Sequence, residues 1–136
     1  MIKVRQLLGM AVYGPDRHRV IGRVCDIAVA ADGTICGVVV ECGGFFSRRR
    51  FINRADIASI GLGGIVTNGQ RGSKHAPQHL LLGQNKFIGS VLDKERGRIS
   101  DAVVENDRII GVEISQGLLQ DLKQGRGFIE WNELGR

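Results

Sequence analysis

The stretch Gly22–Glu41, "GRVCDIAVAADGTICGVVVE", decides the fold, and the chain writes it twice: Gly97–Ser115 reads "GRISDAVVENDRIIGVEIS". Asp32-Gly33 is a two-residue turn signal between β-rich runs. Folding the first stretch there sets Ile27 beside Val38 and Val29 beside Cys36 on one apolar face, with Asp26 and Glu41 on the other. In the second stretch a short loop at Asn106-Asp107-Arg108 brings Ala102 and Val104 against Val112 and Ile110, leaving Asp101 and Glu113 outside. Half-buried strands with one polar face, in copies too short for a large sandwich, imply an all-β class built from small curled sheets or barrels.

The repetition extends outward from these hairpins. Leu7-Leu8-Gly9 aligns with Phe87-Ile88-Gly89, and Phe51-Ile52 with Phe128-Ile129. Each half then runs strand, turn, strand, tight turn, strand, loop, strand. The polar stretch "NGQRGSKHAPQH", residues 68–79, has the composition of a linker. The expected organisation is a first barrel over residues 1–67, the linker, and a second barrel over residues 80–136. A unit under about 70 residues is marginal alone and gains stability by packing on its twin. Short helical segments are expected at "RADIASIG" (54–61), "HLLLGQ" (79–84) and "GLLQDLKQG" (117–125).

These features resemble the PRC-barrel family: the glycine-led strand followed by Asp, the Asp-Gly hairpin, the Gly-Val-Val-Val return strand, the closing Phe-Ile and then "DIASIG". The family takes its name from the H subunit of the photosynthetic reaction centre and includes the C-terminal domain of the ribosome maturation factor RimM. The resemblance spans about residues 5–66 and 80–134 and implies two tandem small barrels. The Trp of the family's pattern stands in the second half as Trp131, whereas Arg54 holds that place in the first. The family shares no catalytic residues, so the resemblance implies a scaffold that binds other macromolecules.

Composition sets the outer bounds. Hydrophobic residues make up 43% of the 136 and charged residues 24%, a globular balance, and 20 glycines against 2 prolines fit many tight turns. No apolar run approaches the ~20 residues of a membrane-spanning helix. The opening "MIKVRQLLGMAVYG" mixes charges into its apolar residues, so no secretory leader is expected and the expected location is cytoplasmic. The three cysteines lack C-x-x-C spacing and are expected reduced. Positive charge is uneven. Residues 1–68 carry nine Lys and Arg against five Asp and Glu, a net of +4, while residues 79–136 carry eight against nine, a net of −1.

The sharpest local feature is "FFSRRRFI", residues 45–52. Arginine binds carboxylate and phosphate through paired hydrogen bonds, and aromatic side chains stack on bases. Arg48, Arg49, Arg50, Phe45 and Phe46 are therefore the candidate partner-binding residues, placed in an exposed loop; the competing reading is a solvated turn. No catalytic constellation, metal site or cofactor is expected. His75 and His79 have helical i, i+4 spacing, but Pro77 lies between them. "GLGG" at 61–64 lacks the ending of a phosphate loop, and no Ser sits in a nucleophile elbow. Asp26 and Asp101 are matched and read as outward strand residues. The expected function is a non-enzymatic adaptor docking on a protein or ribonucleoprotein partner, with RNA processing or a ribosome-linked role among the settings. The alternative is a peripheral membrane or photosynthetic electron-transport accessory protein. Pairing as a homodimer stays open.

Overall fold

The structure is a computed structural model and describes residues 2–43, 48–69, 77, 81–93, 97–115 and 127–134. Among these residues the strands form two antiparallel-rich sheets. The first takes β2 (Ala11–Tyr13), β3 (Val20–Val29), β4 (Ile35–Cys42), β5 (Arg48–Asn53), β6 (Ile57–Gly61) and β7 (Gly64–Thr67), in the order β5-β4-β3-β2-β7-β6. The second takes β1 (Ile2–Lys3), β8 (Val91–Asp93), β9 (Gly97–Glu105), β10 (Arg108–Ser115) and β11 (Gly127–Glu130), in the order β1-β9-β10-β11 with β8 on β9. The all-β class is thereby established. The expected helix at 54–61 is a 3-10 turn (Arg54–Asp56) leading into β6. The segments at 79–80 and 117–125 lie outside the described residues, while Leu81–Lys86 runs through turns.

Both hairpins form where their turn residues put them. Ile27 faces Val38 and Ala102 faces Val112, as the alternation requires. Each long strand also carries bulges the alternation does not reveal. At Cys25 the register steps from Val24–Val40 to Asp26–Val39; at Ser100 it steps from Ile99–Ile114 to Asp101–Glu113. Each bulge lets Val24 and Ile99 join the same core face as Ile27 and Ala102, although they lie three residues away. Asp26 and Asp101 point to the opposite face, but segments from the other half of the chain cover it: both are buried, at 7% and 6% exposure, which corrects their reading as solvent-facing residues. A second pair of bulges, after Ala28 and after Val103, moves Val29 opposite Ile35 and Val104 opposite Ile109 rather than Cys36 and Ile110.

The buried carboxylates hold the two halves together. Asp26 Oδ1 accepts from the backbone N–H of Gly83 at 2.7 Å and of Ile27 at 2.8 Å, and Oδ2 accepts from Gln84 at 3.0 Å. Asp101 Oδ1 accepts from Arg5 at 3.0 Å, in the short helix α1 (Val4–Leu7), and from Ala102 at 2.8 Å. Each aspartate thus caps a turn belonging to the opposite half of the chain. The lead-in segments follow suit: Ile2-Lys3 pairs with Val104-Val103, and Leu81 bridges Ala28. Each lead-in then returns to its own half. Gly9 N–H bonds the Val24 carbonyl and Gly89 N–H the Ile99 carbonyl, both at 2.7 Å, and Arg23 and Arg98 each donate to the carbonyl of that glycine at 3.1 Å.

The hairpin tips also meet. Ile109 N–H bonds the Gly33 carbonyl at 2.7 Å and Ile35 N–H the Asp107 carbonyl at 2.9 Å. Trp131 Nε1 donates to the Ala31 carbonyl at 2.9 Å, and its ring sits 5.6 Å from that of Phe87. Arg54, in the matching place of the first half, reaches the other tip and pairs with Asp107 at 3.0 Å. One apolar core gathers residues from both halves, among them Val4, Leu7, Ile27, Val38, Ile52, Ile99, Val112 and Trp131. Gly37 and Gly111 lie beneath the rings of Phe51 and Phe128, where a Cβ would collide with ring and backbone.

A basic end on the first sheet as candidate functional site

Arg48, Arg49 and Arg50 are not in a loop: they form the first half of β5, paired with Cys42, Glu41 and Val40. Glycine-free and flanked by Phe51-Ile52, the segment completes a ladder with β4, and the strand's period of two divides the arginines. Ile52 enters the main core, whereas Phe51 joins a second cluster on the sheet's outer surface with Ala28, Val39 and Leu81. Arg48 and Arg50 therefore share the face of Ile52, and Arg49 takes the other. Phe45 and Phe46 lie outside the described residues.

The inner-face arginines stand over a cleft of about 360 Å³, whose other walls include Pro15, Ile21, Cys42, Ile52 and Thr67. Thr67 Oγ1 donates to the Tyr13 carbonyl at 3.1 Å, tying that wall to β2. The turn at Gly14–Arg19 forms one rim. Gly14 N–H bonds the Arg19 carbonyl at 3.1 Å, Arg17 adopts a positive φ of 64°, and Asp16 Oδ1 accepts from His18 N–H at 3.1 Å and Arg19 N–H at 3.3 Å. Those two backbone bonds, from His18 first and then Arg19, hold the Asp16 carboxyl below the usual carboxylate range.

A shallower groove of about 830 Å³ continues from Ile21 past Arg19, Arg23, Cys25 and Glu41. Arg23 is fixed on the Gly9 carbonyl. Arg49 approaches Glu41 at 3.9 Å with both side chains well exposed, a pairing worth well under ~1 kcal/mol. Among the described residues, Arg19, Arg48 and Arg50 make no ion pair. The three cysteines are free and half-buried, and burial pushes the Cys25 thiol up, which keeps it in the less reactive form.

The site thus offers guanidinium groups over an apolar floor. That arrangement can seat an anion attached to an apolar body. Among the described residues no group of three or more His, Cys, Asp or Glu converges on a point. His75 and His79 lie outside the described residues. No helix of the described residues is long and apolar enough to cross a membrane. Sequence reasoning found the arginines but missed the cleft, because Pro15, Ile21 and Thr67 come from separate strands and turns.

Bulged hairpins curling into a half-barrel define a small β-barrel module. The family model of the PRC-barrel domain matches residues 1–73, more than half of the chain, and the chain belongs to the PRC-barrel family, a family of β-barrel interaction modules. Comparison with curated proteins finds no match.

Proposed function

We propose that the protein is a non-enzymatic adaptor that docks on an anionic protein or ribonucleoprotein partner through the basic end of its first half. In this reading residues 1–67 and 80–136 are two copies of one barrel unit joined through 68–79, and the second copy braces the first. The matched capping by Asp26 and Asp101 and the matched reach of Arg54 and Trp131 support the duplication. The observation that carries the docking surface is the placement of Arg48 and Arg50 on one face of β5, over a cleft, with no carboxylate beside them among the described residues. Side chains so placed contribute little to the fold, so the fold does not require them there.

Affinity capture from native extract tests this reading. The parent and the triple variant Arg48→Ser, Arg49→Ser, Arg50→Ser are compared with and without RNase. The triple variant is expected to melt within about 2 °C of the parent, since only an exposed 3.9 Å pair is lost. Its capture of the parent's partner is expected to fall and to depend less steeply on salt. Capture that survives the triple substitution unchanged contradicts the proposal. RNase sensitivity separates a ribonucleoprotein from a protein partner.

A further inference from the structure

The cleft beside β5 has a geometry that narrows the partner. β5 is the outermost strand of its sheet among the described residues, pairing with β4 on one side only. Its free edge presents backbone groups that an extended peptide can pair with. Arg48 and Arg50 are two residues apart on one face, so their Cα atoms lie roughly 7 Å apart along the strand. An added strand repeats the same spacing: its side chains at alternate positions meet Arg48, Arg50 and then the apolar ground around Ile52. The described lining of the cleft beside Arg48 and Arg50 is largely aliphatic, with Pro15, Ile21, Val40 and Ile52, which suits an apolar side chain next to carboxylates.

Resting on the adaptor reading above, we infer that the partner enters as an extended acidic peptide laid along β5. Carboxylates at two alternate positions pair with Arg48 and Arg50. An apolar side chain at the next alternate position lies beside Ile52, on the apolar wall of the cleft. Arginine suits the task because its guanidinium fork meets a carboxylate with two parallel bonds. The apolar floor excludes water and strengthens those bonds.

Fluorescence anisotropy on the full chain tests the inference with three labelled probes. The first is a threonine-based peptide with Glu, Glu and Leu at alternate positions. The second has the same composition with the two Glu adjacent, so charge is kept and the shared face is lost. The third is single-stranded oligouridine. The first peptide is expected to bind about tenfold or more tighter than the second. The double variant Arg48→Ser, Arg50→Ser is expected to abolish that preference. The double variant Arg5→Ser, Lys86→Ser, which removes equal charge elsewhere, is expected to keep it. Equal binding of the two peptides overturns the inference while leaving the adaptor reading intact, because that reading requires only anionic docking. Failure of the first peptide to bind, or its displacement by oligouridine at equal concentration, overturns it as well. The adaptor reading fails separately, when capture from extract ignores all three arginines.

Discussion

At the scale of single residues, Asp26 and Asp101 are the buried carboxylates among the described residues. A buried carboxylate is costly unless its oxygens are satisfied, and here backbone N–H groups from the opposite half satisfy them. Asp26→Ala leaves the N–H groups of Gly83 and Gln84 without their acceptor and is expected to cost about 3 kcal/mol in urea denaturation. Asp101→Ala breaks one such contact across the halves, at Arg5, and is expected to cost less, about 2 kcal/mol. Equal, near-zero losses would mean that the capping is incidental. None of this is visible in the sequence. The aspartates announce themselves as polar residues on the outer face of an alternating strand, and it is a distant segment laid over that face that buries them. Such cover has no local signature, because the partners lie 57, 58 and 96 residues away.

At the scale of elements, the two halves solve one packing problem in two ways. On the first sheet Leu81 lies against Ala28, Val39 and Phe51, and Phe51 is 6% exposed. On the second sheet the same places hold Lys3, Val103, Glu113 and Phe128. Lys3 pairs with Glu113 at 2.8 Å, and Phe128 is 50% exposed. A half-exposed ion pair contributes little, and an apolar pair of similar volume often does as well or better. The double variant Lys3→Leu, Glu113→Val is therefore expected to raise stability by about 1 kcal/mol in thermal melts, whereas Glu113→Val alone gives no gain. A destabilised double variant would show that the ion pair matters to the sheet.

The elements also show what could be read beforehand. The Asp32-Gly33 turn and the Ile27–Val38 and Ala102–Val112 pairings were legible, because turn chemistry and period-two alternation are local; the sheet order, with β1 on β9 and β2 parallel to β7, was not. The arginine run was misplaced in a loop, since three adjacent charges resemble a solvated turn. Pairing with Cys42, Glu41 and Val40 makes it a strand instead. "RADIASIG" reads as a short helix, but Ile57–Gly61 pairs with β7. The arginines as candidates were legible; the cleft beneath them was not, because its walls come from distant segments.

At the scale of the whole molecule, the halves share one core and exchange their lead-in segments. Residues 1–67 alone would leave Asp26 uncapped and their side of the core open. Separately produced 1–67 and 80–136 are expected to show no cooperative melting by circular dichroism, and mixing them is expected to restore it. Independent cooperative melting of both pieces would contradict the shared-core account. The molecule's charge is unevenly divided, with +4 over residues 1–68 and −1 over residues 79–136. In the proposed reading the basic first half is the docking end, and the second half braces it. Hydrogen–deuterium exchange of the full chain, with and without the partner captured from extract, tests that division most directly. The account predicts new protection over residues 14–23 and 48–53, with residues 97–115 unchanged. Protection confined to residues 97–115, with the arginine strand unaltered, would contradict it.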